Sequence, residues 1–131
     1  MKAKTNLTML CDFYELTMAN GYFQTGLKDR ICYFDVFYRS VPDKGGFSIA
    51  AGLAQVVEYI QDLTFDEEDV EYLRGKGCFS EEFLQYLLHF EFTGDIWAVP
   101  EGTPVFPGEP ILTVRAPAIQ AQFVELSLIH I

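Results

Sequence analysis

Hydrophobic positions along this chain change their period twice. From Asp12 to Phe23 they recur at helical spacing, with Leu16, Ala19 and Phe23 on one side and Tyr14, Thr17, Met18 and Tyr22 on another. A helix apolar over so much of its circumference is expected to be sandwiched between other elements. Asp12 and Glu15 have the spacing of a capping box at its start, and Gly26 offers an αL stop. Residues 31–38, ICYFDVFY, are aromatic and β-branched and apolar on both faces, which predicts a central strand interrupted only by Asp35 and followed by Arg39. Turn residues fill 41–46. Leu53 to Leu63 then predicts a helix with Leu53, Val56, Val57 and Ile60 inward. Thr64 to Glu67 reads as a second capping box, opening a short acidic helix that ends at Gly75–Gly77. Ser80 caps a further helix, from Glu81 to about Phe90, with Leu84, Leu87 and Leu88 inward. From Thr93 the period shortens. Residues 95–99, 103–106 and 111–114 read as successive antiparallel strands between Pro and Gly turns, and Pro117, at a first helical position, opens a last apolar helix. The expected class is α+β, with helices packed on a mixed or antiparallel sheet.

Composition narrows the picture. At 131 residues and 50% hydrophobic, the chain suffices for one domain with a core. Twelve Phe, seven Tyr and one Trp mean either a well-filled core or a surface meant for a partner, core being the plainer account of any single ring. A formal charge of -10 argues against nucleic acid and anionic membranes, which need clustered Lys and Arg, and against unaided binding of a phosphate-rich substrate. Cys11, Cys32 and Cys78 form no CxxC pair and read as reduced thiols of a cytoplasmic protein. No run approaches the ~20 apolar residues of a membrane-spanning helix.

Candidate chemistry is sparse. On the first helix Asp12, Tyr14 and Thr17 carry polar atoms that need partners or a ligand once buried. Arg39 either pairs with Asp35 or stands in solvent, or else it lies at the mouth of a site. Gly45–Gly46 could cradle a phosphate, but neither GxGxxG nor a P-loop is present, and a tight turn is favoured. The acidic residues 66–71 lack EF-hand spacing and read as a solvated helix face. His89 has no second ligand at metal spacing and is expected to cap or pack.

Four stretches taken together carry a resemblance. They are residues 8–19, TMLCDFYELTMA; residues 34–39, FDVFYR; residues 45–53, GGFSIAAGL; and residues 99–112, where PEGT is followed by FP and then PIL. In order and spacing they resemble the N-terminal part of nicotinate phosphoribosyltransferase, a type II phosphoribosyltransferase, over nearly the whole chain. Cys11 stands where that family often has Thr, and Asp43–Lys44 where its loop is often more apolar.

The resemblance implies an N-terminal α/β domain that packs on an α/β barrel absent here. It implies an enzyme that makes nicotinate mononucleotide and pyrophosphate from nicotinate and phosphoribosyl pyrophosphate in NAD salvage, with ATP as co-substrate and Mg2+, in a cytoplasmic homodimer. The motif Tyr maps onto Tyr14 and would contact the nicotinate ring. Asp12 and Thr17 come with it as motif members, and Arg39 as a neighbouring basic residue. The family's phosphorylated His and phosphate loops lie further along, and neither His89 nor His130 sits in a matching motif. No catalytic residue, metal ligand or bound cofactor is therefore expected in residues 1–131, read as one incomplete domain that is inactive alone. Residues 126–131 are either the start of the family's apolar helix or a non-native tail of the kind a sequencing adapter encodes. Two alternatives stay open: a nicotinamide or quinolinate phosphoribosyltransferase, and a non-catalytic domain whose aromatic faces dock a partner.

Overall fold

The computed structural model describes residues 6–41 and 45–130. Pro42, Asp43 and Lys44, from the expected turn, lie outside them, as do Met1–Thr5, Ile131 and the side chains of Leu126, Ser127, Ile129 and His130. The order is α1 (Phe13–Gln24), β1 (Ile31–Val36), β2 (Ser48–Ile49), α2 (Leu53–Asp62), α3 (Glu67–Arg74), α4 (Glu81–Leu88), β3 (Asp95–Ala98), β4 (Pro104–Val105), β5 (Leu112–Pro117) and α5 (Ala118–His130). The expected α+β class holds.

One antiparallel sheet has the order β1-β5-β3, and a two-stranded ladder joins β2 to β4. The strands of 95–114 are thus not successive partners. β3 pairs with β5, while β4 turns away to β2. Nor is β1 central, as its apolar run had predicted: it is an edge strand, and β5 lies in the middle. Along β5 the inward residues Leu112, Val114 and Ala116 are buried, alternating with half-buried Thr113 and Arg115. β1 turns Cys32, Phe34 and Val36 toward the same core and leaves Ile31, Tyr33 and Asp35 exposed. Polar rows lace the outer face: Arg115 donates to Asp95 Oδ2 at 3.0 Å and to the Tyr33 hydroxyl at 3.2 Å, and Thr113 donates to Asp35 Oδ1 at 2.6 Å.

Which helix is sandwiched also differs from expectation. On α1 only Glu15, Leu16, Ala19 and Asn20 are buried, and the side bearing Phe13, Tyr14, Thr17 and Met18 is exposed. α5 is the enclosed helix, with every residue from Ala118 to Val124 buried. It covers β1 and β5 on one side and meets α1 on another. Phe123 there joins Phe65 and Phe90, with ring centroids 5.3 and 5.5 Å away. Pro117 closes β5 and α5 starts one residue later, so the proline marks the junction and not the first helical turn.

Caps follow local chemistry with two shifts. Gly26, at φ 74°, ends α1 with Leu27 N donating to Tyr22 O and Gly26 N to Phe23 O, the paired bonds of a Schellman motif. Asp12 occupies the N-cap of α1 but makes no side-chain cap bond: Glu15 N donates to the Asp12 carbonyl at 2.9 Å, and the Glu15 side chain, expected to reach back, is buried in the core. Asp66 and Asp69, not Thr64 and Glu67, form the second capping box. Phe65 before that cap and Val70 after it are both buried, as a hydrophobic staple requires. Ser80 caps α4 as expected, and His89 at its far end contacts the Gln85 carbonyl through Nδ1. Tyr59 takes the core place expected of Val57, and Phe83 is more deeply buried than Leu88.

Two stability outcomes follow. Asp66→Ala should cost about 1 kcal/mol, whereas Asp12→Ala, with only a favourable helix-dipole position to lose, should cost less than about 0.5 kcal/mol. Equilibrium urea unfolding compares the two, and equal losses would contradict these cap assignments. A Cβ at Gly94 would lie 2.6 Å from the Arg115 carbonyl oxygen and the Ala116 Cβ. Gly94→Ala should therefore destabilise by roughly 1–3 kcal/mol, with the melting temperature falling by several degrees.

Candidate functional site

The four residues singled out from sequence fall in two places. Asp12, Tyr14 and Thr17 lie along the first turns of α1, all exposed. Thr17 spends its hydroxyl on its own helix, donating to the Tyr14 carbonyl at 2.9 Å. Tyr14 keeps 47% of its surface open, so it is no core tyrosine in this structure. Its phenol is held above the ordinary value by desolvation first, then by the carboxylates of Glu15, Glu125 and Asp12. The hydroxyl therefore stays protonated and is available as a hydrogen-bond donor. The helix that carries Tyr14 packs against α5. Phe13 packs edge-on against Phe79 at 5.7 Å, and Met18 is exposed, so the ring of Tyr14 stands on an apolar surface. Behind it Cys11 is half-buried, its thiol pushed up to about 12 by burial and then by Glu15, Asp12 and Asp69, so it is a neutral packing group and not a nucleophile.

Arg39 stands beyond the end of β1, exposed and in no ion pair with another described residue. The pairing with Asp35 does not form, since Asp35 accepts from Thr113 on β5. The segment leading to Arg39 is pinned to the chain between β4 and β5. Ile111 N donates to Val36 O at 2.8 Å, Gly108 N to Tyr38 O at 2.9 Å, and the Tyr38 hydroxyl to Val105 O at 2.5 Å.

Next to this exit is a cavity of about 430 Å³, largely apolar, whose wall includes Tyr38, Ser40, Gly52, Val56, Glu101 and Leu128. Neither Arg39 nor the α1 residues line it. Leu128 brings the later part of α5 to the cavity wall. Gly45–Gly46 leads into strand β2, not a helix, so no phosphate cradle forms at a helix start there. The nearby helix N-terminus, that of α2, is filled from within the chain: Glu101 Oε1 accepts from Gly52 N at 2.9 Å and Ala54 N at 3.3 Å. Gly52 itself takes φ 99°. Tyr38 and Glu101 stand in the FDVFYR and PEGT stretches but were given no role from the sequence.

Among the described residues no three His, Cys, Asp or Glu side chains gather as a metal site. The acidic first turn of α3 is engaged in capping and exposure, as expected of a solvated face. No helix among them is long and apolar enough to cross a membrane.

Comparison with known proteins identifies the family of the domain. The family model of the nicotinate phosphoribosyltransferase N-terminal domain matches residues 9–131. A nicotinate phosphoribosyltransferase of Mycobacterium tuberculosis is 46% identical over 126 residues, covering 94% of this chain and 27% of its own length. The Bacillus subtilis nicotinate phosphoribosyltransferase is 34% identical, with 96% and 26% covered. The crystal structure of human nicotinic acid phosphoribosyltransferase superposes with a TM-score of 0.84 at 31% identity, over 92% of this chain and 25% of that one. The chain thus spans about a quarter of the length of the relatives it matches, and it belongs to the nicotinate phosphoribosyltransferase N-terminal domain family.

Proposed function

We propose that this chain is the N-terminal domain of an enzyme that joins nicotinate to phosphoribosyl pyrophosphate, forming nicotinate mononucleotide and pyrophosphate in NAD biosynthesis, and that Tyr14 holds the pyridine ring. The exposure of Tyr14 carries this assignment. An aromatic ring on a rigid, core-anchored helix, with about half its surface open, is a platform on which a flat heterocycle can stack. In the reaction the pyridine nitrogen attacks the anomeric carbon of the ribose as pyrophosphate departs, so the ring must be held in line. Orientation of this kind supplies several kcal/mol of a barrier, and a slipped ring forfeits much of it. Asp12 and Thr17 border the platform. Arg39 is assigned to an anionic substrate group, because a guanidinium forms paired charge-assisted bonds to phosphate or carboxylate oxygens. ATP as co-substrate and Mg2+ belong to the reading of the whole enzyme, and no residue of this chain is assigned to either.

Family membership also suggests a homodimer acting in the cytoplasm. The outer sheet face supports an assembly that covers it, since Ile31, Tyr33, Phe37 and Trp97 there are all exposed.

The isolated chain should show no turnover. Joined to the remaining length of its Mycobacterium tuberculosis relative, it should restore nicotinate mononucleotide formation. In that enzyme Tyr14→Phe should reduce kcat/KM by roughly fivefold, about one hydrogen bond, while Tyr14→Ala should reduce it by about a hundredfold or more. Steady-state kinetics beside thermal denaturation decides the matter: an Ala variant that melts early yet works normally while folded would return Tyr14 to a packing role.

A further inference from the structure

We propose that Tyr38 is a positioning residue for Arg39, its hydroxyl tying the exit of β1 to β4 and so fixing where the guanidinium meets an anionic substrate group. The inference rests on the assignment of Arg39 made above. Beyond Val36 the ladder to β5 ends, and the chain would be free to splay. Three hydrogen bonds prevent that. Those accepted by Val36 O and Tyr38 O are backbone to backbone and form whatever side chain follows. The third, from the Tyr38 hydroxyl to Val105 O at 2.5 Å, depends on one side-chain atom and spans 67 residues of sequence.

Its placement gives it leverage. Val105 is buried at 4% exposure and belongs to the β2–β4 ladder, so the acceptor is a fixed point and not a mobile loop. Arg39 is the next residue after Tyr38 and is exposed. An arginine reaches its ligand through several rotatable bonds, and what the fold can fix is where its Cα starts and which way it leaves. Loss of the hydroxyl leaves the two backbone bonds and the ring's place in the cavity wall intact, but removes the one tie of the three that holds this segment to the buried β4 strand. Small displacements of this kind are costly where charge-assisted bonds demand exact geometry.

The test uses the full-length enzyme carrying this domain, with Tyr38→Phe, Arg39→Ala and the double variant. Tyr38→Phe should raise KM for phosphoribosyl pyrophosphate by roughly fivefold, with kcat within about twofold of the parent. Arg39→Ala should raise that KM by about tenfold or more, and adding Tyr38→Phe to it should change nothing further, since a guanidinium that is absent cannot be misplaced. An unchanged KM in Tyr38→Phe, when Arg39→Ala does raise it, overturns the inference and leaves the role of Arg39 standing. Effects that multiply in the double variant make Tyr38 a structural residue only, which also overturns it. If Arg39→Ala itself leaves KM unchanged, both the assignment of Arg39 and the positioning role fall.

Discussion

A helix with no solvent face has to be enclosed, and α5 imposes that requirement on everything around it. Ala118 through Val124 are all buried, including Gln120 and Gln122. The sheet supplies one wall through Leu112, Val114 and Ala116. The side of α1 bearing Leu16 and Ala19 supplies another, and Phe65 and Phe90 close on Phe123. Alanines at positions 19, 116, 118 and 121, each at most 6% exposed, let these layers approach closely. The polar side chain of Gln120 is accommodated by the connection between α4 and β3, accepting from Thr93 N at 2.8 Å. Because Pro117 joins β5 to α5 without a loop, the helix folds straight back over the sheet that precedes it. The position of α1, and with it Tyr14, is therefore set by α5 and not by α1 itself.

Helix boundaries were largely legible because they depend on neighbours in sequence. Ser80, Gly26 and the glycines after α3 act within a turn or two of where they stand. Burial was less legible for a definite reason. α1 and β1 are apolar on both sides, and hydrophobic period marks a surface that can be covered without saying whether this chain covers it. Met18, Tyr33 and Phe37 lie in stretches that read as enclosed on both sides, and all are exposed. Strand pairing failed differently: β3 finds β5 and β4 finds β2 across long separations, a choice that short turns between consecutive strands do not encode. At Asp12 a correct local motif lost to the core, which took Glu15.

The site followed the same division. Tyr14, Asp12 and Thr17 were named through a motif, and residue pattern by itself favoured a core role for Tyr14; its exposure runs the other way. Tyr38 and Glu101 act through partners 67 and up to 49 residues distant, so no spacing rule reaches them. Both bonds converge on one region, where the exit of β1, the β2–β4 ladder and the start of α2 meet around the cavity. The geometry there is made of long-range bonds to backbone atoms, which set the course of the chain.

An acidic chain proposed to meet anionic substrates raises an electrostatic question, and the distribution of cations answers it better than their number. Arg74 is committed to Glu71 and Glu81, which hold its guanidinium charged and clamp α3 to α4. Arg115 is committed to Asp95 and Tyr33 on the sheet face. Lys28 lies near Asp29 and over the rings of Phe23 and Tyr86, and Lys76 lies over Tyr72. Arg30 and Arg39 lie beyond opposite ends of β1, a six-residue strand that itself spans roughly 20 Å. Of these two, Arg39 stands at the end toward which α5 runs, between Tyr38 and Ser40 of the cavity wall in sequence but not itself part of that wall. A guanidinium without a carboxylate partner, in a chain with 19 acidic residues, holds an arrangement that repulsion among the acids does nothing to fill. Its charge remains available to an anion from outside the domain, and that availability, more than net charge, is what a substrate contact needs.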